Sequence, residues 1–251
     1  MVKDGATLQG YNVQAAFSNN DILLSIEALS VNNDQSLTSY VVNKVETVKN
    51  AISKATSDYL LDKGYFNPTQ INDLTKSGLR LFIPPPENFG NSWFFSQEHK
   101  VLYESDGLYL LCKGGRKRKA WFAKSKNQYK FVFSPELCEG CEHHQNCWEK
   151  GSKTKTFAVS KAYIDNKDFW LGYKDRTNSE DWKYIYNKRI GKEHNFNDLK
   201  NNNGLRRLNF RGKIKCTTVA TLAGISYNLK KFNKAVIDIG WNKISNTLAT
   251  I

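Results

Sequence analysis

The sequence has no apolar run long enough to cross a membrane, and its first ten residues, MVKDGATLQG, lack the basic start and apolar stretch of a secretory signal. It also contains no internal repeat and no low-complexity linker. We therefore expect a cytoplasmic protein without a membrane partner. With 251 residues, of which 40% are hydrophobic, the chain is long enough to build a real core.

Acidic residues are scarce relative to basic ones. The chain has 24 Asp and Glu against 37 Lys and Arg, which gives a formal net charge of +13. Such an excess favours a polyanionic partner, because binding neutralises phosphates and releases their counterions. Net charge alone does not say which polyanion is bound.

The positive charge is concentrated in residues 113–130, KGGRKRKAWFAKSKNQYK, which contain eight Lys or Arg, three aromatic residues and no acid. Basic side chains in such a run can follow a phosphate backbone, while Trp121, Phe122 and Tyr129 can pack on sugars or unstacked bases. The alternative is a solvated hairpin whose aromatic residues face its own core. The DNA-contacting side chains predicted here are Arg116, Lys117, Arg118 and Lys119.

The chain has five cysteines, and in the reducing cytoplasm where we expect it they do not indicate a disulfide framework. Four of them form a pattern, Cys112 followed by Cys138, Cys141 and Cys147 in CEGCEHHQNCW. A C-x-x-C pair with further Cys or His nearby suits tetrahedral Zn²⁺, and His143 or His144 can replace one thiolate. A second C-x-x-C pair is missing, so the alternative is a set of reduced thiols near a turn. The fifth, Cys216, falls beside an apolar helix and is predicted to be a core residue.

Hydrophobic periodicity predicts an α/β fold. Alternating residues on both sides of SNND indicate a hairpin with strands near 10–17 and 22–29, followed by an amphipathic helix over 37–55. A short strand ending at Asp62, a helix capped by Asn67 and begun by Pro68, and the strand LRLFIPPP come next. Residues 84–170 change to short strands and turns. The sequence thus predicts a core in two parts, 1–83 and 171–251, around a basic, cysteine-containing insertion at 84–170.

A polar stripe marks the first helix after the insertion. Tyr186, Arg189, Glu193 and Lys200 lie at offsets 0, 3, 7 and 14. On one continuous helix, at roughly 100° per residue, they fall within an arc of about 60°. The alternative interpretation is an ordinary solvated helix face with mixed charges.

The stripe Y-x2-R-x3-E-x6-K resembles the signature of bacterial insertion-sequence transposases of the DDE type. LLDKGYFNPTQINDL resembles the segment around their second catalytic aspartate, which is Asp62 here. Further matches are GYNVQAA at residues 10–16, the cysteine insertion, and LRRLNFRGKIKCTTVATLAGISYNLKKF. They follow the family's order over most of the chain. The resemblance implies a ribonuclease H-like mixed sheet flanked by helices.

The resemblance also implies DNA transposition by metal-dependent phosphodiester cleavage and strand transfer, with double-stranded element ends and target DNA as partners. Asp62 and Glu193 are then ligands of Mg²⁺ or Mn²⁺, which prefer oxygen donors and activate both the attacking and the leaving oxygen. Arg189 and Lys200 are expected to hold phosphates, and Tyr186 to contact the strand being cut. Without the resemblance, the local sequence favours Asp62 as only a turn former before Lys63-Gly64.

The family has three catalytic carboxylates, the first on an opening strand upstream of the segment that matches GYNVQAA. We find no match to that strand, and Asp4, Asp21 and Asp34 do not occupy its position. We therefore expect the C-terminal portion of a transposase, with exposed sheet edges and with little strand transfer unless a separate N-terminal piece complements it. A homodimer is a further partner expectation. The alternatives are a non-catalytic DNA-binding protein, for example a repressor of an intact transposase, and a gene relic.

Overall fold

The computed structural model of the chain falls into two compact units. Unit 1 comprises residues 1–84 and 180–251, and unit 2 comprises residues 85–179. The residues that the structure describes are 2–3, 6–7, 10–52, 58–87, 89, 93–96, 98–148, 151–206 and 210–239. Among them, no helix is both long and apolar enough to span a bilayer.

Unit 1 begins with two antiparallel hairpins and a helix. The first hairpin joins the two-residue strands β1 (Val2–Lys3) and β2 (Ala6–Thr7). The second joins β3 (Asn12–Phe17) and β4 (Leu23–Leu29), which confirms the hairpin predicted around SNND. Helix α1 follows at Thr38–Ala51, and it buries Val42 and Val45 on one face as the amphipathic pattern predicts. The end of the predicted span, residues 53–55, lies outside the described part of the chain.

A parallel pair of strands comes next. Strand β5 (Asp58–Leu60) pairs in parallel with β6 (Arg80–Phe82), and helix α2 (Pro68–Lys76) connects them. The predicted cap is confirmed, because the Asn67 side chain accepts a hydrogen bond from the backbone N–H of Gln70.

The α/β class is confirmed, but the expected single mixed sheet is not found in the described part of unit 1. The hairpin β3–β4 and the parallel pair β5–β6 are separate two-stranded sheets. A sheet can unite such pairs only through a strand that hydrogen-bonds to both. No described strand of unit 1 does so, and β3 and β5 each keep an edge without a described partner strand.

Unit 2 contains two antiparallel three-stranded sheets. One consists of β7 (Lys100–Glu104), β8 (Gly107–Leu111) and β9 (Lys117–Lys119). The other consists of β10 (Trp121–Ala123), β11 (Gln128–Phe133) and β12 (Lys155–Ser160). The fully buried members of their common core include Leu110 and Phe131, against which Cys112, Tyr129 and Cys147 pack.

Three α-helices complete the described part of unit 2. The single-turn α3 (His144–Cys147) interrupts the loop between β11 and β12, and α4 (Lys161–Asp165) follows β12 directly. Helix α5 (Lys167–Asn178) buries Trp170 and Tyr173, whose ring centroids lie 5.2 Å apart. Unit 2 therefore carries a hydrophobic core made from its own strands and helices.

The described residues in the second part of unit 1 are mainly helical. Its elements are α6 (Glu180–Asn187), α7 (Lys192–Asn202) and α8 (Lys213–Ile239). One face of α8 packs on β4 through small or buried residues, among them Cys216, which is fully buried as predicted. The Asn228 side chain ties the helix to the strand, since its amide accepts from Leu23 N–H at 2.9 Å and donates to Leu23 C=O at 3.0 Å. The opposite face exposes Leu222, Ile225 and Leu229.

Candidate active site

Asp62 lies where the parallel strand pair of unit 1 ends. The backbone N–H of Leu61 still donates to the carbonyl of Phe82 at 3.0 Å, so pairing continues to the residue before Asp62. The chain then turns into a 3₁₀ helix at Lys63–Tyr65, which the Asp62 carboxylate caps by accepting from the Lys63 N–H at 2.7 Å. The side chain remains 58% exposed. Asp62 is thus a turn former, as the alternative interpretation predicted, and its carboxylate is open to solvent.

Arg189 brings Asp62 together with Glu193. Its Nη2 atom lies 3.5 Å from Asp62 Oδ2, and its Nη1 atom lies 3.2 Å from Glu193 Oε1. The guanidinium therefore sits between a carboxylate at a strand end and one on α7. Glu193 is 63% exposed, whereas Arg189 is only 25% exposed. The result is a pair of accessible oxygen donors around one cation.

The continuous polar stripe predicted from the sequence is wrong in its geometry. The helix stops at Asn187 and restarts at Lys192, so Tyr186 lies on α6, Arg189 lies in the turn, and Glu193 and Lys200 lie on α7. Backbone N–H groups in the turn donate three residues back, for example Arg189 to Tyr186 at 2.9 Å. Gly191 in this turn is a poor helix former, which favours the break. Lys200 lies over the ring of Phe196, 4.5 Å from its centroid.

Two tyrosines border the carboxylate pair. Burial raises the pKa of the Tyr186 hydroxyl; the Arg189 guanidinium opposes this rise, while the Asp62 and Glu193 carboxylates add to it. Burial likewise raises the pKa of Tyr65 well above its usual range, with further contributions from the Asp34 and Asp62 carboxylates. The Tyr65 hydroxyl donates to the side-chain carbonyl of Gln14.

The ring of Tyr186 is held by aromatic packing. It stacks on Trp182 with centroids 5.0 Å apart and an interplanar angle of 15°, and Trp182 in turn lies 6.0 Å from Phe82 on β6. This contact connects α6 to the strand pair that ends at Asp62. It fixes Tyr186 beside Arg189.

Asp21 and Asp34, two other aspartates of unit 1, have structural partners. Asp21, at the tip of the β3–β4 hairpin, accepts hydrogen bonds from Lys192 and, at 2.8 Å, from Asn195. The hydrogen bond from Lys192 holds the pKa of Asp21 below its usual value. Asp34 accepts from the side-chain amides of Asn12 and Gln14, each at 2.7 Å. Asp4 lies outside the described residues.

The described residues contain no preformed metal-binding site. There, no group of three or more His, Cys, Asp or Glu side chains is close enough to surround a metal ion as the side chains stand. The chemistry of Asp62 and Glu193 nevertheless fits a hard divalent cation, because both offer exposed carboxylate oxygens. Two carboxylates supply part of such a ligand set. Arg189 occupies the space between them.

The four predicted zinc ligands lie around one small cavity of unit 2. Cys112, Cys138, Cys141 and Cys147 line it together with His143 and His144. Burial raises the pKa of the Cys138 thiol; a hydrogen bond with Trp148 opposes the rise, and the neighbouring thiols add to it. His99, which sequence reasoning missed, lines the same cavity. Its position 13 residues before Cys112 follows no ligand spacing, so the sequence carried no signal for it.

The basic run is divided between internal contacts and open surface. On β9, Lys117 pairs with Glu104 and Lys119 with Asp106, while Arg118 is exposed. Arg116 donates from Nη2 to the carbonyl of Glu139 at 2.8 Å, which gives it a structural role.

The aromatic residues of the basic run differ in the same way. Trp121 is 61% exposed, and the Lys130 ammonium lies 5.6 Å from its ring centroid. Phe122 and Tyr129 pack on each other, with centroids 5.0 Å apart, and Tyr129 joins the core of unit 2. Of the three, Trp121 therefore offers the most open ring face.

Comparison with protein families identifies residues 111–233 as matching the model of the transposase DDE domain. The match over these residues supports a DDE-type insertion-sequence transposase. The match includes Glu193, Arg189 and the cysteine region, whereas Asp62 precedes it. Comparisons with curated proteins and with solved structures return no match. Sequence reasoning predicted Arg189 as a phosphate contact but missed its position between the carboxylates, although its spacing of four from Glu193 is that of a helical ion pair.

Proposed function

We propose that this DDE transposase takes part in DNA transposition through metal-dependent phosphodiester cleavage and strand transfer, with Asp62 and Glu193 as ligands of Mg²⁺ or Mn²⁺. The observation that carries the proposal is the contact of Arg189 with both carboxylates, at 3.5 and 3.2 Å. It joins a strand end and a helix that are far apart in the sequence.

The residues around the pair have distinct roles in this proposal. A bound divalent cation supplies charge stabilisation for the attacking and leaving oxygens of the phosphodiester. Arg189 and Lys200 hold phosphate oxygens of the DNA, which Arg does well through its forked donors. Tyr186, whose pKa is raised by burial, keeps its proton well above neutral pH, so its hydroxyl can donate to the strand being cut.

DNA contacts in unit 2 form a second part of the proposal. Arg118 and Trp121 are exposed there, and Lys117 and Lys119 can exchange their surface carboxylate partners for phosphates, since exposed ion pairs contribute only about 0.2–1 kcal/mol. Trp121 supplies a ring on which an unstacked base can lie.

Two protein partners are also proposed. A second copy of the chain can pack on α8, where Leu222, Ile225 and Leu229 project outward with the three- and four-residue spacing used in helix pairs. A separate N-terminal transposase piece can supply a strand to the described edges of β3 and β5.

Metal binding and DNA nicking test the catalytic proposal. Binding of Mn²⁺ is measured by electron paramagnetic resonance, and nicking of supercoiled DNA that carries the element's ends is measured with Mg²⁺ or with a chelator. We expect Asp62→Asn and Glu193→Gln each to weaken Mn²⁺ binding at least about tenfold, the loss of roughly one charge-assisted ligand contact. Glu180→Gln, an exposed carboxylate on α6 outside the site, is the matched control.

The outcomes separate the candidate functions. Loss of Mn²⁺ binding in both site variants but not in the control supports the catalytic proposal, whatever the nicking rate of the unassisted chain. Unchanged Mn²⁺ binding, together with unchanged DNA binding, would refute it and favour a non-catalytic DNA-binding protein.

A further inference from the structure

Two tight turns of unit 2, each beginning at a cysteine, face the same cavity. In the first, Gly115 N–H donates to the carbonyl of Cys112 at 2.9 Å. In the second, Cys141 N–H donates to the carbonyl of Cys138 at 3.1 Å. Gly115 and Gly140 have φ values of +72° and +67°, which side-chain-bearing residues rarely adopt. The backbone thus already has the tight turns from which paired thiolates reach one metal ion.

A direct hydrogen bond connects the two turns. Arg116, which follows the first turn, donates to the carbonyl of Glu139 inside the second. This hydrogen bond holds the segments 112–116 and 138–141 next to each other without any contribution from the thiols, although the segments are more than twenty residues apart in the sequence. Cys147 joins them through the short helix α3.

Gly114 leaves room for the sulfur atoms. A Cβ atom on Gly114 would lie 2.5 Å from Cys141 Sγ and 3.9 Å from Cys112 Sγ. The thiols of the two turns therefore share the space beside this glycine. A side chain at position 114 would fill it.

The lining of the cavity fits an anionic metal–thiolate centre. Zn²⁺ with four thiolates carries a net charge of −2, and Lys113 and Lys155 line the cavity with positive charge. His99 also lines it, and both of its ring nitrogens are shielded from solvent without a hydrogen-bond partner in the described residues. A buried imidazole left in this way is costly, so a group that accepts its N–H is needed.

We propose that Cys112, Cys138, Cys141 and Cys147 bind one structural Zn²⁺ that fastens the two turns of unit 2, with His99 as a hydrogen-bond donor to the thiolates. Binding requires the cysteine side chains to rotate toward the cavity, which is open to them beside Gly114. The zinc centre lies in unit 2, whereas Asp62 and Glu193 lie in unit 1. If the zinc proposal proved wrong, the proposed catalytic function of Asp62 and Glu193 would therefore be unaffected.

Metal analysis of the full chain, purified under reducing conditions from zinc-supplemented medium, gives the first test. We expect one zinc per chain after dialysis, and its loss in Cys141→Ser and Cys112→Ser. Cys216→Ser, which alters the buried cysteine of unit 1, is the matched control and should retain the metal. His99→Gln should also retain one zinc, because His99 is not assigned as a ligand.

Reconstitution keeps the test decisive if a serine variant fails to fold. Zinc is removed from the wild-type protein with a chelator at low pH, and its thermal midpoint is then measured with Zn²⁺, with Mg²⁺ and with no addition. We expect Zn²⁺ alone to raise the midpoint, and Co²⁺ to give the charge-transfer absorption of thiolate ligation. A zinc-free wild type whose midpoint does not respond to Zn²⁺, or zinc retained in Cys141→Ser, would overturn the proposal.

Discussion

Replacing Arg189 by glutamine should strengthen divalent metal binding while impairing DNA cleavage. The guanidinium contacts both proposed ligands, so a cation must compete with it for the same oxygens. A unit charge about 4 Å from a carboxylate contributes about 1 kcal/mol where water screens the interaction well, as it does for side chains more than half exposed. Relief of one such interaction lowers the dissociation constant for Mn²⁺ about fivefold.

The matched control for this prediction is Lys188→Gln. It removes the same charge from the neighbouring residue, whose ammonium lies over the Tyr184 ring and contacts neither carboxylate. Isothermal titration with Mn²⁺ should give tighter binding for Arg189→Gln than for Lys188→Gln. The pKa of Tyr186 should rise further in Arg189→Gln, since the guanidinium now lowers it, and ultraviolet titration measures this. Weaker Mn²⁺ binding in Arg189→Gln, or equal effects in both variants, would refute the competition.

Further predictions concern packing, pH and DNA. Gly224→Ala on α8 should lower the thermal midpoint, because a Cβ atom there would lie 2.5 Å from Leu23 Cδ2 and overpacking costs about 1–3 kcal/mol. Gly172→Ala on α5 is the contrasting variant. Its Cβ atom would meet no atom within 4 Å, so the fold should gain up to about 1 kcal/mol from the higher helix propensity of alanine. Asp21→Asn should lower the free energy of unfolding, measured by chemical denaturation at neutral pH, by about 0.2–1 kcal/mol. The difference from wild type should vanish as the pH falls below 3.8 and through the lowered pKa of the folded state, because a carboxyl group with a depressed pKa stabilises the fold only while it is ionised. Trp121→Ala should weaken binding of single-stranded DNA at least about fivefold in fluorescence anisotropy with no change in thermal midpoint, since a stacked base contributes about 1–3 kcal/mol.

The predictable elements were those set by local sequence. The alternation of apolar and polar residues predicted the β3–β4 hairpin, and the Asn67-Pro68 pair predicted the start of α2. Both could be predicted because capping and strand patterns depend on neighbouring residues. The break between α6 and α7 was missed, since Gly191 and the i−3 hydrogen bonds of the turn outweighed a stripe that fits one long helix.

Tertiary features of the site could be predicted only in part. The resemblance to DDE transposases placed Asp62 and Glu193 in one site, but nothing in their spacing said that Arg189 would lie between them. The separate pairs β3–β4 and β5–β6 were likewise invisible to periodicity, because alternation reports which face a strand buries and not which strand lies beside it.

The insertion of unit 2 also bears on the order of folding. Asp62 and Glu193 lie on opposite sides of it in the chain, so their meeting closes a loop of more than a hundred residues, at an entropic cost that grows with loop length. Unit 2 is built largely from neighbouring hairpins and has a core of its own, so its early collapse shortens that loop. We therefore expect amides of β8 and β11 to gain protection before those of α7 in pulsed hydrogen exchange, with the acidic pair assembled last.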